Sequence, residues 1–395
     1  MQRYRGHMES QYFDACLREI ARTGTGDLRT NLRNPALFED AVKRYRELHP
    51  HSFHWINEAS LRARAEEVLD QLTRKDALDA IPVVEQRSEE WYRMRDGMLT
   101  ASDWGQALGV GKFGTVRNVY EKKCPYGDEK PFDDTCPPLV HGQLFEPVAT
   151  EIYQMRYGFA VDEYGIVGHP QHRFLGASPD GVNDLGVMLE IKCPYRREIS
   201  GAILDQYFHQ IQGQLEVCDL EYCDFVECSF EKAFSLGELR EVESDYKGIV
   251  LVKHDGAKVY GRVNDLDTLA EAAPHAKTAC YYFLVDYHIK RVKRDRTWFR
   301  RRLPELRAVW DNVLRYRSNE EDYEREVRNP PTARRKPAAT SSSKPKAAKP
   351  YARSSDKTYD HTVPMFRETP DEQPPPQTQT QTTDHTVPMF RNDAS

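Results

Sequence analysis

No stretch of this 395-residue chain is apolar over the length of a membrane span, and its first residues hold no signal-peptide core, so the expectation is a soluble intracellular protein without a membrane partner. The chain is not globally basic either: 56 Lys and Arg against 62 Asp and Glu leave −6, so contacts with a polyanion have to be concentrated in patches. Its eight cysteines include no CxxC pair of the zinc type. Cys218, Cys223 and Cys228 are evenly spaced but read as core thiols of a reducing compartment. A nucleotide P-loop is excluded at Gly109-Val110-Gly111-Lys112, because the pattern needs glycine at 106 and Ser or Thr after the lysine, where the chain has Gln106 and Phe113. The last 67 residues have no Leu, Ile or Trp and hold 11 of the 24 prolines, too little apolar surface to bury a core; disorder is expected there.

What is present centres on residues 173–193. Val187 to Cys193 is a short apolar run, and Gly181, Asn183, Asp184 and Gly186 before it are turn formers, so two strands joined by a tight connection are predicted. Strand alternation puts Glu190 and Lys192 on one face and Ile191 on the other. Pairing would bring Asp180, at the end of the first strand, beside Glu190. Two carboxylates held close persist most readily with a cation between them, and oxygen ligands suit a hard divalent ion such as magnesium. Asp180, Glu190 and a backbone carbonyl could hold part of its shell. Lys192 could then orient or help deprotonate an attacking water and stabilise charge on a phosphate, which points to phosphodiester hydrolysis. The bland alternative is a surface hairpin with a cross-strand ion pair.

Pro179-Asp180 followed by Glu190-Ile191-Lys192 resembles the PD-(D/E)xK nuclease signature. Trp91-Tyr92-Arg93-Met94-Arg95 leading to Leu99-Thr100-Ala101-Ser102, His141-Gly142-Gln143-Leu144-Phe145-Glu146-Pro147, and Tyr207-Phe208-His209-Gln210-Ile211-Gln212 accompany it in this order. Together they resemble the phage lambda-type exonuclease, or YqaJ-like viral recombinase, family that includes alkaline exonucleases of large DNA viruses, over roughly residues 85–230. The resemblance implies catalytic roles for Asp180, Glu190, Lys192, Glu146 and Gln210. It implies metal ligation by Asp180, Glu190, the Ile191 carbonyl and Glu146, with Mg2+ bound and Mn2+ as a substitute. It also implies contacts of Arg95, Ser102 and Ser178 with the 5′-phosphate or the DNA.

Read without the resemblance, several of these residues have plainer explanations. Ser102 could be only the N-cap of a helix starting at Ala101 or Ser102, with Arg95 a surface charge; Glu146 could be a first-turn acid of a helix over 141–157. In a helix over Tyr207–Val217, Gln210 and Gln214 share a face while Gln212 looks elsewhere. Tyr222 to Phe230 alternates like a late strand of the sheet.

Residues 1–80 show helical spacing at Ala41, Val42, Tyr45 and Leu48 and again at Leu61, Ala65, Val68, Leu69 and Leu72. The histidines 49, 51 and 54 there read as a structural or solvent-facing cluster. Residues 287–317 carry eleven Lys and Arg against three acids, with Trp298, Phe299 and Trp310 interleaved, which suits DNA-backbone contact or a solvated helix face. In the tail, Asp360 to Arg367 recurs unchanged as Asp384 to Arg391, a candidate pair of docking peptides for a protein partner.

The expected architecture is α/β: a restriction-endonuclease-like core with a central mixed sheet flanked by helices (81–328), a helical N-terminal extension (1–80) and a disordered Pro/Ser/Lys-rich tail (329–395). The expected function is metal-dependent exonucleolytic hydrolysis of linear double-stranded DNA, 5′ to 3′, in viral-type recombination or replication. A homo-oligomer and a nuclear or viral replication site are further expectations. A structure-specific or random endonuclease with the same site, and an inactive DNA-binding or packaging protein, are the alternatives.

Overall fold

The computed structural model describes residues 14, 17, 20, 26–48, 58–86, 88–112, 114–126 and 136–330, all within one compact unit. The histidines 49, 51 and 54 and the tail with its repeated octamers lie outside the described residues.

Among the described residues ten strands form two sheets. β1 (Leu99–Thr100), β3 (Val167–Gly168) and β4 (Leu175–Ala177) make a small sheet in the order β1-β4-β3. The large one contains β2 (Val161–Asp162), β5 (Gly181–Asn183), β6 (Met188–Lys192), β7 (Tyr222–Ala233), β8 (Lys247–Val252), β9 (Lys258–Tyr260) and β10 (Thr278–Lys293), in the order β2-β5-β6-β7-β10-β8-β9. Only the central pair β6–β7 is parallel within it, and its crossover contains the helix Asp205–Val217. The sheet is therefore mixed, as its alternating apolar strands predict.

Each face of the sheet has its own core. Leu189, Ile191, Val226 and Cys228 pack with Leu61, Val68 and Leu72 of helix Glu58–Asp79 and with Phe145, Ile152 and Tyr153 of helix Pro137–Tyr157. Met188, Cys223 and Phe225 pack on the other side with Ile211 and Leu215 of helix Asp205–Val217 and with Phe299, Val309 and Trp310 of helix Arg296–Ser318. The evenly spaced Cys218, Cys223 and Cys228 are buried and unbridged, and burial raises each thiol's pKa.

The β5–β6 connection shows why this stretch turns. Asn183 is fully buried, and its Oδ1 accepts from the backbone N–H of Leu185 (3.0 Å) and Val187 (2.9 Å), closing the turn locally. Gly186 has φ +74°, and a Cβ there would also lie 3.0–3.1 Å from Gln71 atoms, so helix Glu58–Asp79 seats directly on the turn. The Gln71 amide donates to the Leu185 carbonyl at 3.3 Å. From Asn183 Nδ2 the bonds continue to Tyr153 Oη (3.0 Å) and on to Asp224 (3.0 Å). Asp224 is paired with the buried Arg291 at 2.8 Å, and Arg291 in turn meets Asp14. N-terminal residues thus help brace the hairpin.

Two expected helix starts differ. The helix expected over 141–157 begins at Pro137, since Pro137 and Pro138 suit a first turn that needs no N–H donors. Glu146 is consequently in mid-helix and no first-turn acid. Pro147 inside the helix leaves the Gln143 carbonyl without its intrahelical donor, and Lys258 Nζ supplies one at 3.4 Å. The helix expected from Ala101 or Ser102 is a 3-10 turn, Ala101–Asp103, followed by one α-turn, Trp104–Ala107.

Candidate active site

β6 places the chemistry. Its even positions face the helix Asp205–Val217 and its odd positions the opposite core, so Glu190 and Lys192 share the first face. Glu190 is fully buried. Its carboxylate accepts from Gln210 Nε2 at 2.8 Å and from Gln214 Nε2 at 2.7 Å, while Lys192 Nζ donates to the same oxygen as Gln210. One helical turn separates the two glutamines, which is why both reach one acid. Gln212, on the other side of that helix, accepts from Asp295 N (2.6 Å) and donates to the Lys293 carbonyl (2.9 Å).

Asp180 precedes β5. The hairpin register, Gly181 opposite Leu189, carries Asp180 opposite Glu190. Its Oδ2 accepts from Ile191 N–H at 2.7 Å. The N–H and C=O of a strand residue leave on one side, so the Ile191 carbonyl also leaves toward the edge occupied by Asp180. Burial raises the Asp180 pKa well above the carboxylate range, and the nearby Glu190 and Glu146 charges raise it further against the opposing Lys192. Glu146, although its helix lies on the other face, is therefore close enough for its charge to act on Asp180; it acts on Cys193 as well.

Lys192 shows the opposite balance. Burial alone would lower its pKa, but Glu190 and Asp180 lift it above the ordinary lysine value. Those two carboxylates thus favour its charged form. Its cation also lies 5.4 Å from the Tyr207 ring.

A second group lies beyond Trp91. Helix Glu89–Asp96 is capped by Ser88, whose hydroxyl accepts from Trp91 N, and it carries Arg95 in its last turn. The Arg95 guanidinium stacks 4.6 Å from the Trp91 ring and donates to Ser102 Oγ at 3.2 Å. Ser102 is exposed and Arg95 half-buried, so both can meet a ligand from solvent. Gly105 and Gly213 bring this segment onto the glutamine helix: a Cβ at either would come within 2.9 Å of a side-chain atom across the contact.

Ser178 differs from its expected role. Its hydroxyl donates to the Gly165 carbonyl (3.0 Å) and accepts from Trp91 Nε1 (3.5 Å). Its carbonyl accepts from Gln214 at 3.3 Å. The residue thus joins the arginine group to the carboxylate group.

Five arginines of the basic run 287–317 pair with acids from outside it. Arg294 pairs with Glu216 and Asp219, Arg296 with Glu221, Arg315 with Asp322 and Glu326, and Arg317 with Asp96, while Arg291 is the buried partner already described. Most of its apparent surplus of charge disappears on folding, because acids distant in sequence come to meet it.

Sequence reasoning missed three charged residues beneath Arg95. Buried Asp103 and Lys123 and exposed Lys122 form a cluster there, and nothing in the sequence separates two lysines at a helix end from ordinary solvated ones.

Fold and site define the class: a strand–turn–strand unit in a mixed sheet that gathers Asp180, Glu190 and Lys192 is the PD-(D/E)xK arrangement. Residues 90–221 match the profile of the YqaJ-like viral recombinase domain. A 178-residue stretch, 40% of the chain, is 33% identical to "Uncharacterized protein R354" of Acanthamoeba polyphaga mimivirus and covers 32% of that protein, so the two share about a third of the relative's length. Among solved structures, an alkaline exonuclease (LHK-Exo) from Laribacter hongkongensis is similar with a TM-score of 0.40 and 21% identity, over 59% of this chain and 96% of that one. A phage related exonuclease from Haemophilus somnus 129PT is similar with a TM-score of 0.34 and 12% identity, over 56% and 95%. Among the described residues no helix is long and apolar enough to cross a membrane.

Proposed function

We propose that this chain is a nuclease that hydrolyses the phosphodiesters of linear double-stranded DNA from its ends, 5′ to 3′, in recombination or replication of a viral-type genome. The observation that carries the reading is the convergence of Asp180, Glu190 and Lys192 under two glutamine amides, linked through Ser178 to the half-buried Arg95 and exposed Ser102.

The donor set fits a hard divalent cation, Mg2+ with Mn2+ as substitute. Asp180 is held above its ordinary pKa by burial beside two other acids, the situation a bound cation reverses. Asp180, Glu190, Glu146 and the Ile191 carbonyl would hold it, all through oxygen. When bound, it neutralises charge at the scissile phosphate. Lys192, kept as an ammonium, donates to a phosphate oxygen as negative charge develops there. Gln210 and Gln214 fix the Glu190 carboxylate, so its orientation does not have to be set during reaction. Arg95 and Ser102 bind the terminal 5′-phosphate by a charge-assisted and a neutral hydrogen bond. Whether the tail octamers recruit a protein partner is tested separately by replacing Phe366 and Phe390 with alanine in a pull-down; no loss of a recovered protein counts against it.

The deciding assay uses linear and covalently closed duplex, each with Mg2+ and with a chelator. Degradation of the linear form only, and only with the metal, is expected. Cutting of the closed circle makes it an endonuclease, and a chain that binds DNA but leaves both forms intact is a DNA-binding or packaging protein.

A further inference from the structure

Two charged side chains that the catalytic reading does not use are buried directly behind the end-recognition pair. Asp103 and Lys123 are each 3% exposed. A buried ammonium and carboxylate are costly unless each is fully engaged, so their contacts should report their purpose. Asp103 Oδ2 accepts from Thr100 Oγ1 at 2.8 Å, and Thr100 Oγ1 is 3.2 Å from Ser102 Oγ. Asp103 Oδ1 takes Lys122 Nζ at 2.7 Å, and Lys123 Nζ stands 3.7 Å from Oδ2. Lys123 Nζ also donates to the backbone carbonyl of Arg95. The same two residues therefore grip both halves of the pocket, the Ser102 hydroxyl through Thr100 and the end of the Arg95 helix through its carbonyl.

We propose that Asp103 and Lys123 are the positioning pair of the phosphate pocket, setting the spacing between the Ser102 hydroxyl and the Arg95 guanidinium that selects a 5′-phosphorylated end. This rests on the phosphate reading of Arg95 and Ser102. Neither residue touches the phosphate itself. Helix Val116–Lys123 delivers the lysines, and its capping box at Thr115, with Asn118 Oδ1 accepting from Thr115 N at 2.9 Å, fixes where that helix begins. Charge supports the arrangement. Burial, with Lys122 and Arg95 nearby, brings the Lys123 pKa down to about 8, opposed by Asp103 and Asp96. Desolvation would raise Asp103, yet Lys122 and Lys123 hold it below the usual carboxylate range. Asp103 thus favours the charged form of Lys123, and Lys122 and Lys123 together favour that of Asp103.

The test is the ratio of initial degradation rates on linear duplex with 5′-phosphate and with 5′-hydroxyl ends, measured for the wild type and for Asp103→Asn, Lys123→Met and Thr100→Val. A loss of stability lowers both rates and leaves the ratio alone, whereas a displaced pocket lowers the ratio. Asp103→Asn and Lys123→Met are expected to reduce it about tenfold, and Thr100→Val by a smaller factor because it breaks only the Ser102 branch. If a buried-charge variant does not fold, Thr100→Val decides. A wild-type preference for phosphate that every folded variant keeps overturns this inference alone. A wild-type ratio near one overturns the phosphate reading and the positioning pair together.

Discussion

The carboxylate group and the arginine group lie on the same helix and strand framework but are built differently. Glu190 is met inside the protein: two glutamine amides and an ammonium converge on a carboxylate that solvent does not touch. Around Arg95 the outermost groups, the guanidinium and Ser102 Oγ, remain open to solvent, and the buried charges lie one layer deeper. A buried network holds its geometry regardless of salt, which suits bond-breaking groups. An open cation is screened by salt over about 8–10 Å, which suits a group that has to capture a polyanion and release it.

The comparison breaks most visibly at the carboxylates. Asp180→Ala or Glu190→Gln is expected to reduce cleavage by at least about 10³-fold while leaving DNA binding within a few-fold, checked by single-turnover cleavage beside a binding titration. Activity near wild type in either variant would remove the site assignment. Lys192→Ala comes next, with a loss of about 10²–10³-fold in rate, since it removes charge stabilisation but keeps the acids. A rate within threefold of wild type would show that the ammonium serves Glu190 structurally.

At the other group the effect should be one of selectivity. Arg95→Ala is expected to shrink the preference for 5′-phosphorylated ends about tenfold, and raising salt should shrink it in the wild type too, whereas the chemistry at Glu190 should respond less. Equal salt sensitivity of both would erase the distinction between the two groups.

The smallest effect concerns stability. His141 is buried against Phe145 and Tyr195, and its Nε2 has no hydrogen-bond partner. Burial, helped by Lys232, brings its pKa down to about 4. In the unfolded chain the group takes its proton near 6.5, so between these values the unfolded state binds more protons. Stability is therefore lost as pH falls through this window, by at most about 1.4 kcal/mol per pH unit from this residue. Denaturant midpoints of His141→Phe should fall less steeply than wild type between pH 6.5 and 4; parallel curves would show that His141 is already protonated in the fold.

The sequence by itself determined the hairpin and its chemistry. Alternation on β6 assigns Glu190 and Lys192 to one face, turn formers fix the register that puts Asp180 opposite Glu190, and helical spacing pairs Gln210 with Gln214. These are local rules with periods of two and 3.6 residues, so a reader of the chain can apply them. Tertiary structure alone decided where charges end up. In the basic run 287–317, Arg294, Arg296 and Arg317 meet Glu216, Asp219, Glu221 and Asp96 from elsewhere in the chain. The Ser178 hydroxyl meets Gly165 and Trp91. Lys123 looked like any helix-end lysine until folding buried it against Asp103. The physical reason is range: a side chain's partner in an ion pair can be far away in sequence, as Arg317 and Asp96 are at 221 residues, and only the closed chain brings them within reach.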